Sequence, residues 1–414
     1  MASESAARVL IVADDLTGAL DSAGAFASQG IPTKVVAQTL ASDPQAVRDA
    51  QVVAVNTASR HLPPDDAAAQ VQWAARHFAG QPFDYIYKKV DSTLRGNVVS
   101  ETVALMDSCG RGVALVAPAF PAQGRTVING IVHVEGLPLS LTGFATDALS
   151  PPPLEPLGEV FGSVIGRDHV KAWRHGEVVT WPDVGVVIAD ADSEDHMSEL
   201  FDKVAGQAHQ ILLVGSAGLG EILASRLHAA RNQAARDQAA KSSATPLTAT
   251  DSPIVYVVGS RAARSREQVE QLRRESDTVV IDAPNGVASE IVDAQGARQV
   301  VLLAVDDPEA DMAEPAEVAQ RLARTGLEIA AFVRAGALVV TGGDTAIAIL
   351  ETASCRVLDV CGNLMPGIPF SSFELKGRPM HLVTKAGGFG TADTFVDILR
   401  CFRSGTIGRA EEGA

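Results

Sequence analysis

The chain has 414 residues, 34 Lys+Arg against 50 Asp+Glu, a formal net charge of −16, and 46% apolar side chains. That length predicts two domains, each able to bury a core, and the apolar content excludes a disordered chain. The negative charge excludes general binding to a nucleic-acid backbone, which needs a field of Lys and Arg, and no run of about 18 apolar residues offers a membrane span.

In chain order, a strand over Arg8–Ala13, a helix over Thr17–Gln29, strands at Thr33–Val36 and Gln51–Val55, a helix over Asp65–Phe78, and strands at Tyr85–Val90 and Val113–Val116 form the alternation of βαβ units. Apolar runs such as Val9-Leu-Ile-Val12 suit a parallel sheet covered on both faces. Ser150–Glu159, with Pro151, Pro152, Pro153 and Pro156, predicts a loop. Strands follow at Val184–Ala189 and Gln210–Val214, then a helix from about Leu219 to Ala230.

Residues 231–253 lose apolar periodicity and gain Ser, Thr, Asp and Pro, the composition of a linker between domains at 1–230 and 254–414. The second domain has strand patterns at Ile254–Val258, Thr278–Ile281, Gln299–Val305, Ala337–Val340 and Arg356–Val360, with helices near Ser265–Arg274, Ala313–Arg334 and Asp344–Ala353. The predicted fold class is α/β, two domains each with a mainly parallel sheet flanked by helices. Cys109, Cys355, Cys361 and Cys401 form no CxxC pair and match no zinc or disulfide spacing. They read as reduced thiols of a cytoplasmic protein, and MASESAARVLIVADD lacks the apolar stretch and cleavage site of a signal peptide.

Strand ends carry the chemistry, because ligands of open parallel sheets bind outside the carboxyl ends of the strands. The first ends in Asp14-Asp15-Leu-Thr17-Gly18; one of these side chains can be a helix cap, whereas two carboxylates and a glycine exceed what a cap needs. The fourth runs Lys88-Lys89-Val90-Asp91-Ser92-Thr93-Leu-Arg95-Gly96. Alternation sends Lys88 and Lys89 to opposite faces and so to different roles, and a lysine on a buried strand is costly unless it is paired or meets a ligand. The loops bearing Asn56, Thr57, Ser59 and Arg60, and Gln123, Gly124 and Arg125, follow neighbouring strands. Residues 56–130 hold seven basic and six acidic side chains, a local balance of +1 in a chain of −16. Such a pocket suits a small polyhydroxy anion, with arginine forks for its carboxylate.

In the second domain Gly259-Ser260-Arg261, Gly342-Gly343-Asp344-Thr345 and Gly387-Gly388-Phe389-Gly390 are turns whose backbone N–H groups can face phosphate oxygens. There is no GxxxxGK[ST] and no GxGxxG in dinucleotide-binding spacing. His61 and His133 read as structural side chains, since HExxH and HxH are absent, and Ser216 in GSAG reads as a helix cap and not as a nucleophile.

Together ADDLTGA at 13–19, YKKVDSTLRGN at 87–97, PAFPAQGRTVINGIVHVEG at 118–136, VGSAGL at 214–219, TGGDTA at 341–346 and KAGGFG at 385–390 resemble the four-carbon acid sugar kinases over nearly the whole chain. The wording at 88–97 is most similar to the threonate kinases of that family. The resemblance implies an acid-sugar-binding N-terminal domain, a nucleotide-binding C-terminal domain, an active site in the cleft between them, and ATP-dependent phosphorylation of the terminal hydroxyl of a tetronate. D-Erythronate or 3-oxotetronate as substrate, and a non-catalytic two-domain sensor, are the alternatives. Substrate contacts would fall at Asp14, Arg60, Lys89, Asp91, Ser92 and Arg95, with Lys88, Val90 and Arg125 beside them. Nucleotide contacts would fall at Ser260, Gly342, Gly343, Asp344, Gly387, Gly388 and Gly390, with Thr345 and Phe389 from the same loops. Asp14 or Asp15 would orient the sugar hydroxyls and accept the proton. Mg²⁺ would bridge β- and γ-phosphates through few protein ligands, so no metal residue is named. Closure about 231–253 would exclude water. The partners expected are thus an acid sugar and ATP, with a homodimer as the default oligomer.

Overall fold

In the computed structural model, which describes residues 7–38, 43–78, 80–147, 150–236, 247–288, 294–306 and 313–407, strand β1 (Val9–Ala13) is buried at every position, as a parallel strand covered on both faces should be. By internal contacts the chain divides into two units, Met1–Ser242 and Ser243–Ala414.

In the first unit β1 leads into α1 (Leu16–Ser28), followed by β2 (Thr33–Val36), β3 (Val52–Asn56), α2 (Pro64–Phe78), β4 (Tyr85–Lys89), α3 (Val98–Cys109) and β5 (Val113–Ala117). Then come β6 (Arg125–Ile128), β7 (Ile131–Val134), β8 (Leu137–Pro138), α4 (Leu157–Ile165), β9 (Val170–Trp173), β10 (Gly185–Ala189), α5 (Glu194–Val204), β11 (Leu212–Gly215) and α6 (Ala217–Arg236). The main sheet has the order β2-β3-β1-β4-β11-β5-β10-β9, parallel throughout. β6, β7 and β8 form a separate antiparallel sheet. The chain lays β2 and β3 on one side of β1 and β4 on the other, so the order reverses at β1. That reversal opens a crevice at the carboxyl ends of β3, β1 and β4.

The second unit contains β12 (Ile254–Val258), α7 (Ala263–Leu272), β13 (Thr278–Pro284), β14 (Gln299–Val305), α8 (Pro315–Phe332), β15 (Ala337–Thr341) and α9 (Gly343–Thr352). It ends with β16 (Val357–Met365), β17 (Ile368–Leu375), β18 (Arg378–Lys385) and α10 (Thr394–Ser404). β13-β14-β12-β15-β18 run parallel, and β17 and β16 continue the sheet antiparallel. Tyr256, Phe370, Phe395 and Phe402 fill its core. β12, β15 and β18 are adjacent, so the three glycine turns that follow or open from them share one edge.

Several elements depart from the sequence pattern. The strand expected to stop at Val360 continues to Met365, because bulges at Val360/Gly362 and Asn363/Met365 absorb a glycine that reads as a break. α4 begins at Leu157, inside the expected loop, once Pro156 has turned the chain into its first turn. α6 continues to Arg236, past the expected start of the linker, and residues 237–246 of that linker lie outside the described residues. Among the described residues no helix is long and apolar enough to cross a membrane.

Gly215, at the end of β11, shows how tightly the parallel sheet is packed there. A Cβ at this position would lie 2.7 Å from the Ala117 carbonyl oxygen of β5 and 2.9 Å from the Leu219 Cβ. Gly215→Ala is expected to lower stability in a urea melt by about 1–3 kcal/mol. Gly206→Ala, where a Cβ meets nothing within 4 Å, should stay within about 0.5 kcal/mol of wild type.

Candidate active site

Asp14 and Asp15 follow β1 directly. Asp15 has extended backbone and caps α1, its Oδ1 accepting the Gly18 N–H at 2.8 Å, a contact worth about 0.5–2 kcal/mol. Any side chain at Gly18 would obstruct this turn, since a Cβ would sit 2.6 Å from Asp15 Oδ1 and 3.2 Å from Lys89 Nζ. Asp14 is 3% exposed, and its backbone carries the loop after β3. Thr57 donates its N–H and hydroxyl to the Ala13 carbonyl at 2.9 and 2.8 Å, and the Ser59 N–H donates to the Asp14 carbonyl at 2.9 Å.

That loop delivers Arg60. Its Nε and Nη2 donate to the two oxygens of Asp14 at 2.8 and 3.0 Å, and its Nη1 donates to Asp15 Oδ2 at 2.8 Å. A single guanidinium therefore spans both carboxylates. Asn97 secures the loop from the other side by donating to the Ser59 and Leu62 carbonyls at 3.2 and 2.8 Å. From the end of β4, Asp91 accepts Arg95 Nε at 3.0 Å and Nη2 at 2.8 Å, and lies 3.9 Å from Arg60 Nη2.

Burial raises the Asp14 carboxyl, but the Arg60, Lys88 and Lys89 charges outweigh it and hold the group below its ordinary value. For Asp91 burial is likewise outweighed, here by the Arg95 hydrogen bonds and the charges of Arg60 and Arg95, so its carboxyl lies far below the usual range. Burial opposes the Arg60 charge, yet the surrounding carboxylates hold its pKa well above the ordinary value.

Lys88 and Lys89 do separate, as strand alternation predicts. Lys88 is 0% exposed; its Nζ pairs with Glu101 Oε2 of α3 at 2.7 Å and donates to the Lys89 carbonyl at 2.9 Å. Burial raises the Glu101 carboxyl even beside that lysine. Lys88 thus stands behind the site and reaches Asp14 through its field, without a surface for a ligand. Lys89 Nζ lies near Gly18 and donates to the Val90 carbonyl at 3.0 Å; the Val90 side chain is buried. Ser92 is half-buried in the loop between them and Arg95. Arg125 is not part of the fork: its Nη1 donates to the Gln123 carbonyl at 2.7 Å and its guanidinium lies 5.7 Å from the Phe144 ring centre. Three residues on, Asp147 takes Arg95 Nη1 at 3.5 Å, a rim contact that the sequence reading missed.

His61 bonds the Ser150 hydroxyl and His133 the Ile131 carbonyl, both structural contacts. Ser216 does not use its hydroxyl as the expected cap; it donates to the Ala119 carbonyl at 3.4 Å.

In the second unit the three glycine turns touch one another. A Cβ on Gly387 would lie 2.0 Å from Ser260 Oγ, and one on Gly259 would lie 2.1 Å from Thr345 Oγ1. The Gly342 N–H donates to the Lys385 carbonyl at 3.1 Å, and Gly342, with φ of 97°, opens α9 so that Gly343 and Asp344 form its first turn. Backbone N–H groups and a helix N-terminus are thus gathered where a polyphosphate could lie. Phe389 turns its ring toward Gly367 and the core, anchoring its loop. Lys385 beneath that loop was read only as a motif letter, because its role depends on where the loop folds back.

The depressed carboxyl of Asp91 has a consequence for stability. A carboxylate whose folded pKa is lowered contributes above its unfolded value of about 3.9, and that contribution is lost as pH falls through the folded value. Wild-type protein should therefore lose urea stability more steeply below about pH 4 than Asp91→Asn does; parallel curves for the two would show that Asp91 carries none of this dependence.

Comparison with known proteins gives the family of both domains. A family model described as a sugar-binding N-terminal domain matches residues 9–223, and one described as a nucleotide-binding C-terminal domain matches residues 255–395. The chain is 29% identical to a D-threonate kinase of Salmonella typhimurium, over 95% of this chain and 97% of that one. It is 32% identical to a D-threonate kinase of Cupriavidus necator, over 92% and 95%. More distant relatives are named 3-oxo-tetronate kinase, from Pseudomonas fluorescens at 28% identity over 93% and 94%, and D-erythronate kinase, from Heliobacterium modesticaldum at 25% over 94% and 97%. A crystal structure of a Haemophilus influenzae protein shares the fold with a TM-score of 0.69 at 20% identity, covering 95% of this chain and 100% of that one. The chain belongs to the four-carbon acid sugar kinase family, and it is an ATP-dependent phosphotransferase.

Proposed function

We propose that this enzyme transfers the γ-phosphoryl group of ATP to the terminal hydroxyl of D-threonate, giving 4-phospho-D-threonate and ADP. The observation that carries the reading is the Arg60 fork across Asp14 and Asp15, with the Arg95–Asp91 pair beside it. These guanidiniums are already paired with carboxylates, so an acid sugar can take the place of a protein carboxylate on the same donors. Support for D-threonate within the family comes from the relatives of higher identity, which are named for that acid.

In this mechanism Arg60, Lys89 and Arg95 hold the substrate carboxylate. Its arrival draws Arg60 away from Asp14, whose oxygens then accept the terminal hydroxyl. The hydroxyl oxygen attacks the γ-phosphorus, the bond to the β-phosphate oxygen breaks, and the hydroxyl proton passes to Asp14. Phosphoryl transfer has a loose transition state in which the attacking hydroxyl becomes acidic late, so a carboxylate of depressed basicity is adequate. Lys88, paired to Glu101 behind the strand, keeps Asp14 ionised. Asp15 stays on the α1 cap and fixes the turn.

The ATP phosphates would lie on the Ser260, Gly342–Thr345 and Gly387–Gly390 turns. Among the described residues no group of three or more His, Cys, Asp or Glu side chains could hold a metal, and Asp344, exposed in the first turn of α9, is the carboxylate these turns offer. That donor set suits Mg²⁺ carried on nucleotide phosphates, where the ion supplies charge neutralisation.

A coupled ADP-release assay with Mg·ATP against D-threonate, D-erythronate and 3-oxotetronate should show highest kcat/KM for D-threonate; a higher value for another acid would reassign the substrate. Asp14→Asn should lower kcat by about 10²–10⁴-fold while KM for ATP stays within about threefold. Wild-type turnover by this variant would remove Asp14 as the proton acceptor. Arg60→Met should raise KM for the acid by at least about tenfold, whereas an unchanged KM would remove the carboxylate clamp.

A further inference from the structure

Lys385 ends β18 and is 1% exposed. Its ammonium has three donors, and all three are used on the loop that follows: it donates to the carbonyls of Ala386 at 2.8 Å, Gly387 at 3.1 Å and Phe389 at 3.0 Å. α7 reinforces the same arrangement, with Ser265 donating to the Gly387 carbonyl at 2.7 Å and Gln268 to the Phe389 carbonyl at 3.0 Å. The Phe395 ring lies 5.8 Å from the ammonium.

In a planar trans peptide the C=O of one residue and the N–H of the next point in opposite directions. Carbonyls 386, 387 and 389 turned in toward Lys385 therefore turn the N–H groups of Gly387, Gly388 and Gly390 outward. None of these three N–H groups donates to another atom of the described residues. A Cβ at Gly388 would meet nothing within 4 Å, so the outward face is open. Outward backbone N–H groups over a buried positive charge form an anion-binding concavity.

We propose that Lys385 is a positioning residue for the nucleotide: by holding three loop carbonyls inward it aims the amides of Gly387, Gly388 and Gly390 at the phosphates of a nucleoside di- or triphosphate. This deepens the reading of the second unit as the nucleotide site and rests on it. The lysine works without touching the ligand, through loop shape and through its field.

Burial, with a smaller contribution from Arg264, pushes the Lys385 ammonium down to about 8. Arg264 of α7 is paired with Glu267. Ser265 and Gln268 do not titrate, β15 and α9 present Thr341 and Gly342, and Tyr256, behind Phe395, is pushed well above its ordinary value by burial. ADP phosphates are fully ionised above about pH 7.5. Loss of ADP affinity between pH 7.5 and 9.5 would therefore report this lysine losing its proton, at up to about tenfold per pH unit.

The test uses the full chain and ADP as probe, by calorimetry and in the kinase assay. Lys385→Met is expected to weaken ADP binding and raise KM for ATP by about tenfold or more, with KM for the acid unchanged and the wild-type fall with pH abolished. A Lys385→Met protein that binds ADP as wild type does would overturn the proposal while leaving the nucleotide site standing. Wild-type protein that binds no ADP at all would overturn both. Should the variant not fold, the wild-type pH series decides: falling affinity supports the proposal, and constant affinity from pH 7.5 to 9.5 overturns it.

Discussion

A guanidinium held by two carboxylates at the end of β1 is the constraint around which the first unit is arranged. Asp14 is buried where an isolated charge would be costly, and Arg60 makes its ionised form stable there. To present Arg60, the loop after β3 hangs on the backbone of Ala13 and Asp14, Asn97 ties it down, and Gly96 leaves room for it. The strand order supplies the rest, because β3, β1 and β4 meet at the point where the sheet reverses direction. The ion cluster and the switch in strand order thus meet at one place.

The two units gather donor groups of different kinds. In the first, charge is carried by side chains, and the acidic partners of Arg60 and Arg95 hold the guanidiniums in place. In the second, the glycine turns offer backbone N–H groups, with a buried lysine beneath one of them. Side-chain forks suit a planar carboxylate and can be exchanged; backbone cradles suit phosphate oxygens and do not move far. A chain of net charge −16 thus still gathers groups suited to an anion locally in each unit.

Much of this was legible in the residues. β2, β12 and β14 begin and end where their β-branched runs do, because apolar strands flanked by turn residues leave little choice of boundary. The pairing of Asp14 and Asp15 with Arg60 was legible only as a clustering of strand ends, since register and loop path decide who meets whom. Strand alternation separated Lys88 from Lys89 but gave no sign that Glu101, a turn into α3, would pair with Lys88. Of the antiparallel strands β16–β18 only the first part of β16 was legible, because the bulges after Val360 interrupt the pattern that marks a strand. Lys385 was hidden for a different reason: a lysine caged by carbonyls of its own loop has no partner at any recognisable spacing.

The most direct test of the central claim is a crystal structure of the full chain with D-threonate and a non-hydrolysable ATP analogue. The account predicts the Arg60 fork on the substrate carboxylate, Asp14 within hydrogen-bonding distance of the terminal hydroxyl, and the phosphates on the glycine turns. An acid bound away from Arg60, with that guanidinium still closed on Asp14 and Asp15, would contradict it.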